Sequence, residues 1–284
     1  MAADLPTPNA NASPPPAASA ACGTCVFNHA AQLRALGVDV SGHDHVVALA
    51  GNPNTGKSTV FNALTGLRQH VGNWPGKTVT GAEGGFGYRR RRYKLVDLPG
   101  TYSLLSDSQD EDVARDFLLF GQPDVTVVVV DATRLQRNLN LVLQILQITG
   151  RVVVALNLID EAHRHGLSLD QRHLARELGV PVVPMAARSR RGLDALLEAI
   201  EQVALGTVAT RARRVHHGDA RTERAVRELA AQLLREYPGL ANTRWIALRL
   251  LEGDPGIERA VTDGTLDRLS SPTPHAVSSE TPGT

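Results

Sequence analysis

The stretch GNPNTGKST, Gly51 to Thr59, follows directly on the apolar run His45 to Ala50 and opens a helix-period segment, an order that leaves few alternatives for the fold. Its glycines let the backbone curl until successive N–H groups face one point, and the helix N-terminus adds its positive end. Phosphates are the natural occupant. The residues of this loop read as nucleotide-binding are Gly51, Asn52, Pro53, Asn54, Thr55, Gly56, Lys57, Ser58 and Thr59. Lys57 is placed to reach the β and γ phosphates, and the Ser58 hydroxyl to bind a Mg²⁺ that bridges them. An ordinary glycine turn is the bland alternative. The preceding strand and the motifs at the ends of later strands outweigh it.

From residue 45 onward, apolar β-branched runs alternate with helical patterns. Strands are expected at His45 to Ala50, Tyr93 to Val96, Val125 to Val130, Val152 to Leu156 and Val180 to Val183. Helices are expected at Lys57 to Leu64, Asp110 to Phe120, Leu135 to Thr149, Asp170 to Leu178 and Leu193 to Leu205. This alternation predicts an α/β fold of the P-loop NTPase kind, a mostly parallel sheet with helices on both faces. Two short β-like stretches between Gly81 and Val96 add one antiparallel hairpin around Arg89 to Arg92. That arginine run reads as a solvated turn; with no aromatic platform beside it, nucleic acid is not expected as a partner. After Thr207 the pattern is helical, Arg221 to Glu236 and Asn242 to Leu251, with Trp245, Leu248 and Leu251 on one face. The expected organisation is a disordered, Cys-containing arm over 1–44, whose first 21 or so residues are rich in Ala, Pro, Ser and Asn, a nucleotide-binding domain over 45–206, a small all-α appendage over 207–262 and a disordered tail over 263–284.

The chain has 284 residues, 42% hydrophobic and 21% charged, with a formal charge of +1, so no global field steers it toward an anionic partner. Its longest apolar runs, Val125 to Val130 and Leu141 to Ile148, are far short of the roughly 20 residues of a spanning helix. The N-terminus lacks a basic n-region and carries Asp4 and several prolines, so a cytoplasmic location is expected. Cys22 and Cys25 are the only cysteines, which excludes a disulfide framework.

Three further motifs end on strands. Asp97-Leu98-Pro99-Gly100 places Asp97 to hold the Mg²⁺ shell and the Gly100 N–H to sense a γ-phosphate. Asn157-Leu158-Ile159-Asp160 offers a carboxylate that accepts both donors on the guanine edge, which adenine cannot supply; the reading is GTP and GDP. Met185-Ala186-Ala187 follows the last strand, where a backbone N–H can meet the guanine O6.

Beyond these, HVGNWPGKTVT, His70 to Thr80, resembles the first switch of the ferrous iron transport protein B family, and DLPGTYSL, Asp97 to Leu104, its second. The similarity continues through DEDVARDFLL, VVDATRLQRNL, GVPVVPMAAR and RWIALRLLEGD, over roughly residues 46 to 253. The resemblance implies a slow GTPase switch that gates a membrane iron permease. It adds Gly76, Lys77, Thr78, Val79 and Thr80 to the nucleotide-binding set, with Thr78 as the switch threonine on Mg²⁺ and the γ-phosphate, and makes Asn54 a ligand of a potassium ion. Lys57, Thr78, Gly100 and Asn54 form the implied catalytic set, and both switch segments, His70 to Thr80 and Thr101 to Gln109, are expected to order around nucleotide. Thr80 stands where the family usually has Glu. The helical appendage resembles the family's guanine-nucleotide dissociation inhibitor domain in shortened form. The permease part is absent here, so it is expected on another chain or missing, and the sequence is compatible with a homo-oligomer.

Two features stay open between readings. Cys22-Gly-Thr-Cys25, with His29, His43 and His45 near, is either a Zn²⁺ or Fe²⁺ site or a pair of reduced thiols in the arm. Trp74 is either an aromatic exposed in one nucleotide state or ordinary packing. Two other functions compete: a nucleotide-sensing binding module without turnover, and a ribosome-assembly GTPase, which would need an RNA-binding module that the helical segment does not resemble.

Overall fold

The computed structural model describes residues 32–34, 36–66, 69–74, 79–105, 108–213 and 219–270. Seven strands form one sheet: β1 His45–Gly51, β2 Gln69–Asn73, β3 Thr80–Tyr88, β4 Arg91–Asp97, β5 Val125–Asp131, β6 Val152–Asn157 and β7 Val182–Pro184, in the order β2-β3-β4-β1-β5-β6-β7. Strands β4, β1, β5, β6 and β7 run parallel, while β3 is antiparallel to β4 and to β2. The expected hairpin is therefore present, with Arg89 and Arg90 at its turn. An additional edge strand, β2, overlaps the start of the segment His70 to Thr80, read only as a switch. Its sequence, QHVGN, carries too little hydrophobic patterning to announce a strand.

The three central strands are buried on both faces, and their side chains alternate between two cores. On one face, Val47, Leu49, Val127, Val129 and Val153 pack with Phe61 of α1 (Lys57–Thr65) and Ile200 of α6 (Leu193–Ala204). On the other, Val46, Ala48, Val128, Val130 and Val154 pack with α2 (Gln109–Asp116), α3 (Leu135–Ile148) and the C-terminal helices. Two short helices, α4 (Ile159–Arg164) and α5 (Gln171–Leu178), flank β6 and β7.

The expected helix Asp110 to Phe120 changes character partway. Ser108 caps α2 by accepting the Glu111 N–H, and from Phe117 to Gly121 the chain continues as a π-helical turn. The wider turn leaves the Leu119 carbonyl to accept 3.0 Å from Asn242 Nδ2, beside α8 (Thr243–Leu251). Phe117 in the same turn meets Trp74 edge-on at 5.4 Å, so Trp74 is a packing residue in this structure.

The C-terminal part comprises α7 (Ala220–Glu236), α8, α9 (Pro255–Thr262) and α10 (Thr265–Ser270). Trp245, Ile246, Ile257 and Leu266 are buried in the same core as Phe117 and Leu146. Two domain boundaries move as a result. The helical part runs to Ser270, because Leu266, which the Ser/Thr/Pro-rich composition obscured, packs into the core. The arm ends before residue 44, because Leu33 and Val38 are also buried there. Leu251, expected on the apolar face of α8, is 48% exposed; the buried face is Trp245, Ile246 and Ala247. Arg115 is almost wholly buried, paired with Asp112 at 3.1 Å and Asp116 at 2.9 Å, and lies 3.9 Å from Asp254, the N-cap of α9. Among the described residues no helix is long and apolar enough to cross a membrane.

Thr126 is the exception to the apolar rule of the central strands: it is fully buried in β5, and its Oγ1 has no hydrogen-bond partner. Replacing it with the near-isosteric Val removes a buried unpaired hydroxyl, so Thr126→Val is expected to raise unfolding free energy by about 1 kcal/mol. Urea denaturation with an unchanged m-value would show it; a loss of stability would mean that the hydroxyl has a partner in solution.

Candidate nucleotide site

Burial of β1, β5 and β6 on both faces leaves their ends for polar side chains, and the candidate residues meet at the carboxyl ends of these strands and of β4. The loop Asn52–Gly56 joins β1 to α1. Gly51 lies so close to β5 that a Cβ would come within 2.6 Å of the Val129 carbonyl oxygen, and Gly56, at φ 83°, would drive one to 2.4 Å from Asn157 Nδ2. Only glycine fits either place. Asn54 also has a positive φ of 65° and is exposed at the tip. Thr55 is buried and its hydroxyl donates 2.9 Å to the Asn52 carbonyl, which pins the curl of the loop. Asn52 is buried with its Nδ2 lacking a protein partner.

Lys57, in the first turn of α1, reaches across to Asp97 at the end of β4, Nζ to Oδ1 2.5 Å. Burial pushes the Asp97 carboxyl above the ordinary aspartate range, and the Lys57 charge and hydrogen bond oppose it. Ser58 and Thr59 stay exposed on the same turn. Leu98 continues the β4 register by donating 2.9 Å to the Leu49 carbonyl, and the Thr101 N–H lies 3.3 Å from the Gly51 carbonyl. Gly100 sits so near the phosphate-type loop that its Cβ would lie 3.5 Å from Pro53 N. The donor chemistry fits Mg²⁺: Asp97 offers a half-buried carboxylate at the end of β4, and Ser58 an exposed hydroxyl in the first turn of α1, both hard oxygens of the kind this ion takes.

Asn157 does something its sequence position did not disclose. It is buried; its Nδ2 donates 2.9 Å to the Thr55 carbonyl and its Oδ1 accepts 3.0 Å from the Ala187 N–H. One amide thus ties the phosphate-type loop to the loop after β7. The only signal was a polar residue closing an otherwise apolar strand. Leu158 then takes a left-handed conformation at φ 61°, an expensive choice for a branched side chain, and turns the chain into α4. Asp160 is exposed in the first turn of that helix. Ile159 donates 3.3 Å to the Met185 carbonyl, and Met185 donates 2.9 Å to Leu156, so the two loops expected to hold a base lie side by side. Met185, Ala186 and Ala187 are all buried.

Val79 is buried and accepts the Trp74 N–H at 2.8 Å, and Thr80 is exposed at the start of β3. Gly76, Lys77 and Thr78 lie outside the described residues, as do Cys22, Cys25 and His29. His43 lies 3.0 Å from the Ser41 carbonyl, and His45 stacks on Tyr93. Among the described residues no three His, Cys, Asp or Glu side chains cluster as metal ligands.

Residues 45–200 match the family model of ferrous iron transport protein B, and residues 219–273 match the FeoB cytosolic helical domain. Among curated proteins, the Fe(2+) transporter FeoB of Salmonella typhimurium is 42% identical over 212 residues, covering 73% of this chain and 27% of the relative. That of Escherichia coli strain K12 is 41% identical with the same coverage. The chain thus spans about a quarter of the length of these relatives, 27%. Among solved structures, the cytosolic domain of T. maritima FeoB in a GDP form superimposes with a TM-score of 0.69 at 38% identity, over 83% of this chain and 88% of that one. The cytosolic domain of L. pneumophila FeoB does so with 0.69 at 35%, over 80% and 89%. The family model over residues 45–200 and these relatives agree: the chain belongs to the ferrous iron transport protein B family.

Proposed function

We propose that this chain is a guanine-nucleotide switch that hydrolyses GTP slowly and, through its nucleotide state, controls ferrous iron passage by a membrane permease domain. The observation that carries the reading is the convergence of three loops, after β1, β4 and β6, around the Lys57–Asp97 pair and the Asn157 amide. Solved T. maritima FeoB cytosolic domains in GDP and GMPPNP forms support a guanine nucleotide as the ligand. The iron permease part of the reading rests on the full-length relatives, of which this chain matches the smaller portion.

In this mechanism the backbone N–H groups of Asn54 to Lys57 cradle the phosphates, and Lys57 exchanges Asp97 for the β and γ phosphate oxygens. Ser58, Thr78 and Asp97 are the residues that would hold Mg²⁺, which when bound offsets phosphate charge. Asp160 accepts the two guanine edge donors. Asn157 keeps the phosphate-side and base-side loops at a fixed separation. Thr101 occupies the place after Asp-x-x-Gly where a longer Gln would orient water, so the hydrolytic step has no side-chain help from that position. Asn54, exposed at the loop tip, would hold a potassium ion that offsets charge at the β–γ bridge as the bond breaks.

Three outcomes test this reading. Asp160→Asn should weaken GTP binding by roughly 10²-fold or more and raise affinity for xanthine nucleotides, because Asn can donate to a 2-oxo group; unchanged GTP affinity removes Asp160 from the site. Asn157→Ala leaves the Thr55 carbonyl and the Ala187 N–H without their partner, and should weaken GDP binding by roughly 10- to 100-fold in calorimetry. GTP turnover should be near 10⁻⁴ to 10⁻³ s⁻¹ in sodium and higher in potassium, in the manner of an unassisted site gaining a stabilising cation. Equal rates in matched salts, or potassium activation undiminished in Asn54→Ala, would overturn the potassium assignment.

A further inference from the structure

The loop directly after Gly100 is held in place by a side chain from another element. Gln144, in the middle of α3, accepts the Leu104 N–H on its Oε1 at 2.7 Å, and its amide lies 3.4 Å from Ser103 Oγ through both Oε1 and Nε2. Within the loop, Thr101 Oγ1 donates 2.5 Å to the Ser103 carbonyl and accepts from Ser103 N at 3.1 Å, so Thr101 to Leu104 behave as one hydrogen-bonded unit. Arg137, in the first turn of the same helix, sits 4.4 Å over the Tyr102 ring. Leu104 is buried, whereas Leu105 is 45% exposed.

Packing does not fix the outer side of this unit. A cavity of about 290 Å³ opens there, lined among others by Leu104, Leu105, Leu143, Gln144, Trp245 and Leu248. With open space on that side, the loop is held by the buried Leu104 and by specific hydrogen bonds. On the inner side the unit begins at Thr101, whose N–H meets the Gly51 carbonyl, and at Gly100, packed on Pro53. Thr101 Oγ1 also lies 3.2 Å from Glu111 Oε1 at the inner end, so the bond from Gln144 is the side-chain hold on the outer end of a unit that begins at Gly100.

We propose that Gln144 is a positioning residue for GTP hydrolysis, acting on Gly100 through Leu104 and Ser103; this rests on the GTPase reading above. A positioning role affects the transition state more than the ground state, so it separates kcat from KM. Gln144→Leu removes both polar atoms at similar volume, and Gln144→Asn keeps the amide but withdraws it by one methylene. Both should lower kcat by roughly 10- to 100-fold, the effect expected of a displacement near 1 Å at the reacting groups, with KM and GDP affinity little changed. Gln144→Glu retains an acceptor for the Leu104 N–H and should keep kcat within about threefold of the natural chain. Hydrogen exchange of the Leu104 amide should quicken in Leu and Asn variants and not in Glu. The proposal is overturned if kcat is unchanged in both Gln144→Leu and Gln144→Asn, or if Gln144→Glu loses as much as they do. A natural chain with no GTP turnover would defeat the GTPase reading and this inference with it. Turnover in the natural chain with unaffected variants would defeat the inference alone.

Discussion

Burial of β1, β5 and β6 on both faces is the constraint that shapes everything else in the molecule. A strand covered on each side must be apolar between its ends, and these three are, with Thr126 the exception and with His45, Asp131 and Asn157 at their ends. Polar chemistry is thereby confined to the strand ends, and at the carboxyl ends the parallel arrangement places Gly51, Asp97 and Asn157 on one rim. The site is a by-product of how the core excludes water. Its tolerances are correspondingly narrow, as the two glycines that admit no Cβ demonstrate.

The helical appendage shares one of the two cores with the nucleotide-binding part. Trp245, Ile246 and Ile257 pack into the same layer as Phe117 and Leu146, and Arg115 and Asn242 contribute buried polar links between the parts. A guanidinium withdrawn from water is costly unless paired, and Arg115 has carboxylates at its own helix and at the α9 cap. Separation of the two parts would expose that layer and strip these pairs.

Much of this was legible in the sequence for a physical reason: long-range order in an α/β sheet is written locally, in apolar β-branched runs and in the glycines between strand and helix. The strand from His45, the helix from Lys57 and the loop between them could be read because each satisfies its own local rule. What escaped reading was set by tertiary partners. QHVGN is a strand because β3 offers it an edge, and Leu266 is buried because Trp245 and its neighbours leave a surface for it. Asn157 looked like a base-recognition residue in a short motif, and its two loop-bridging bonds join residues 102 and 30 positions away, beyond the reach of any local pattern. Gln144 carried no motif at all. Its importance arises from a loop 40 residues earlier that returns to lie on α3.

The π-helical turn from Phe117 to Gly121 has a consequence for how this chain can vary in length. A π turn holds one residue more than the α turn it replaces. Deleting a single residue there would restore α geometry and rotate everything before it by about 100° relative to the chain after it. Phe117 would leave Trp74, and Leu119 would no longer present a spare carbonyl to Asn242. The extra residue is therefore a phase setting: it aligns the aromatic ring facing Trp74, just after β2, with the carbonyl facing the appendage. Insertions are harmless in many surface turns, but here the count of residues between Asp116 and Gln122 is itself part of the architecture.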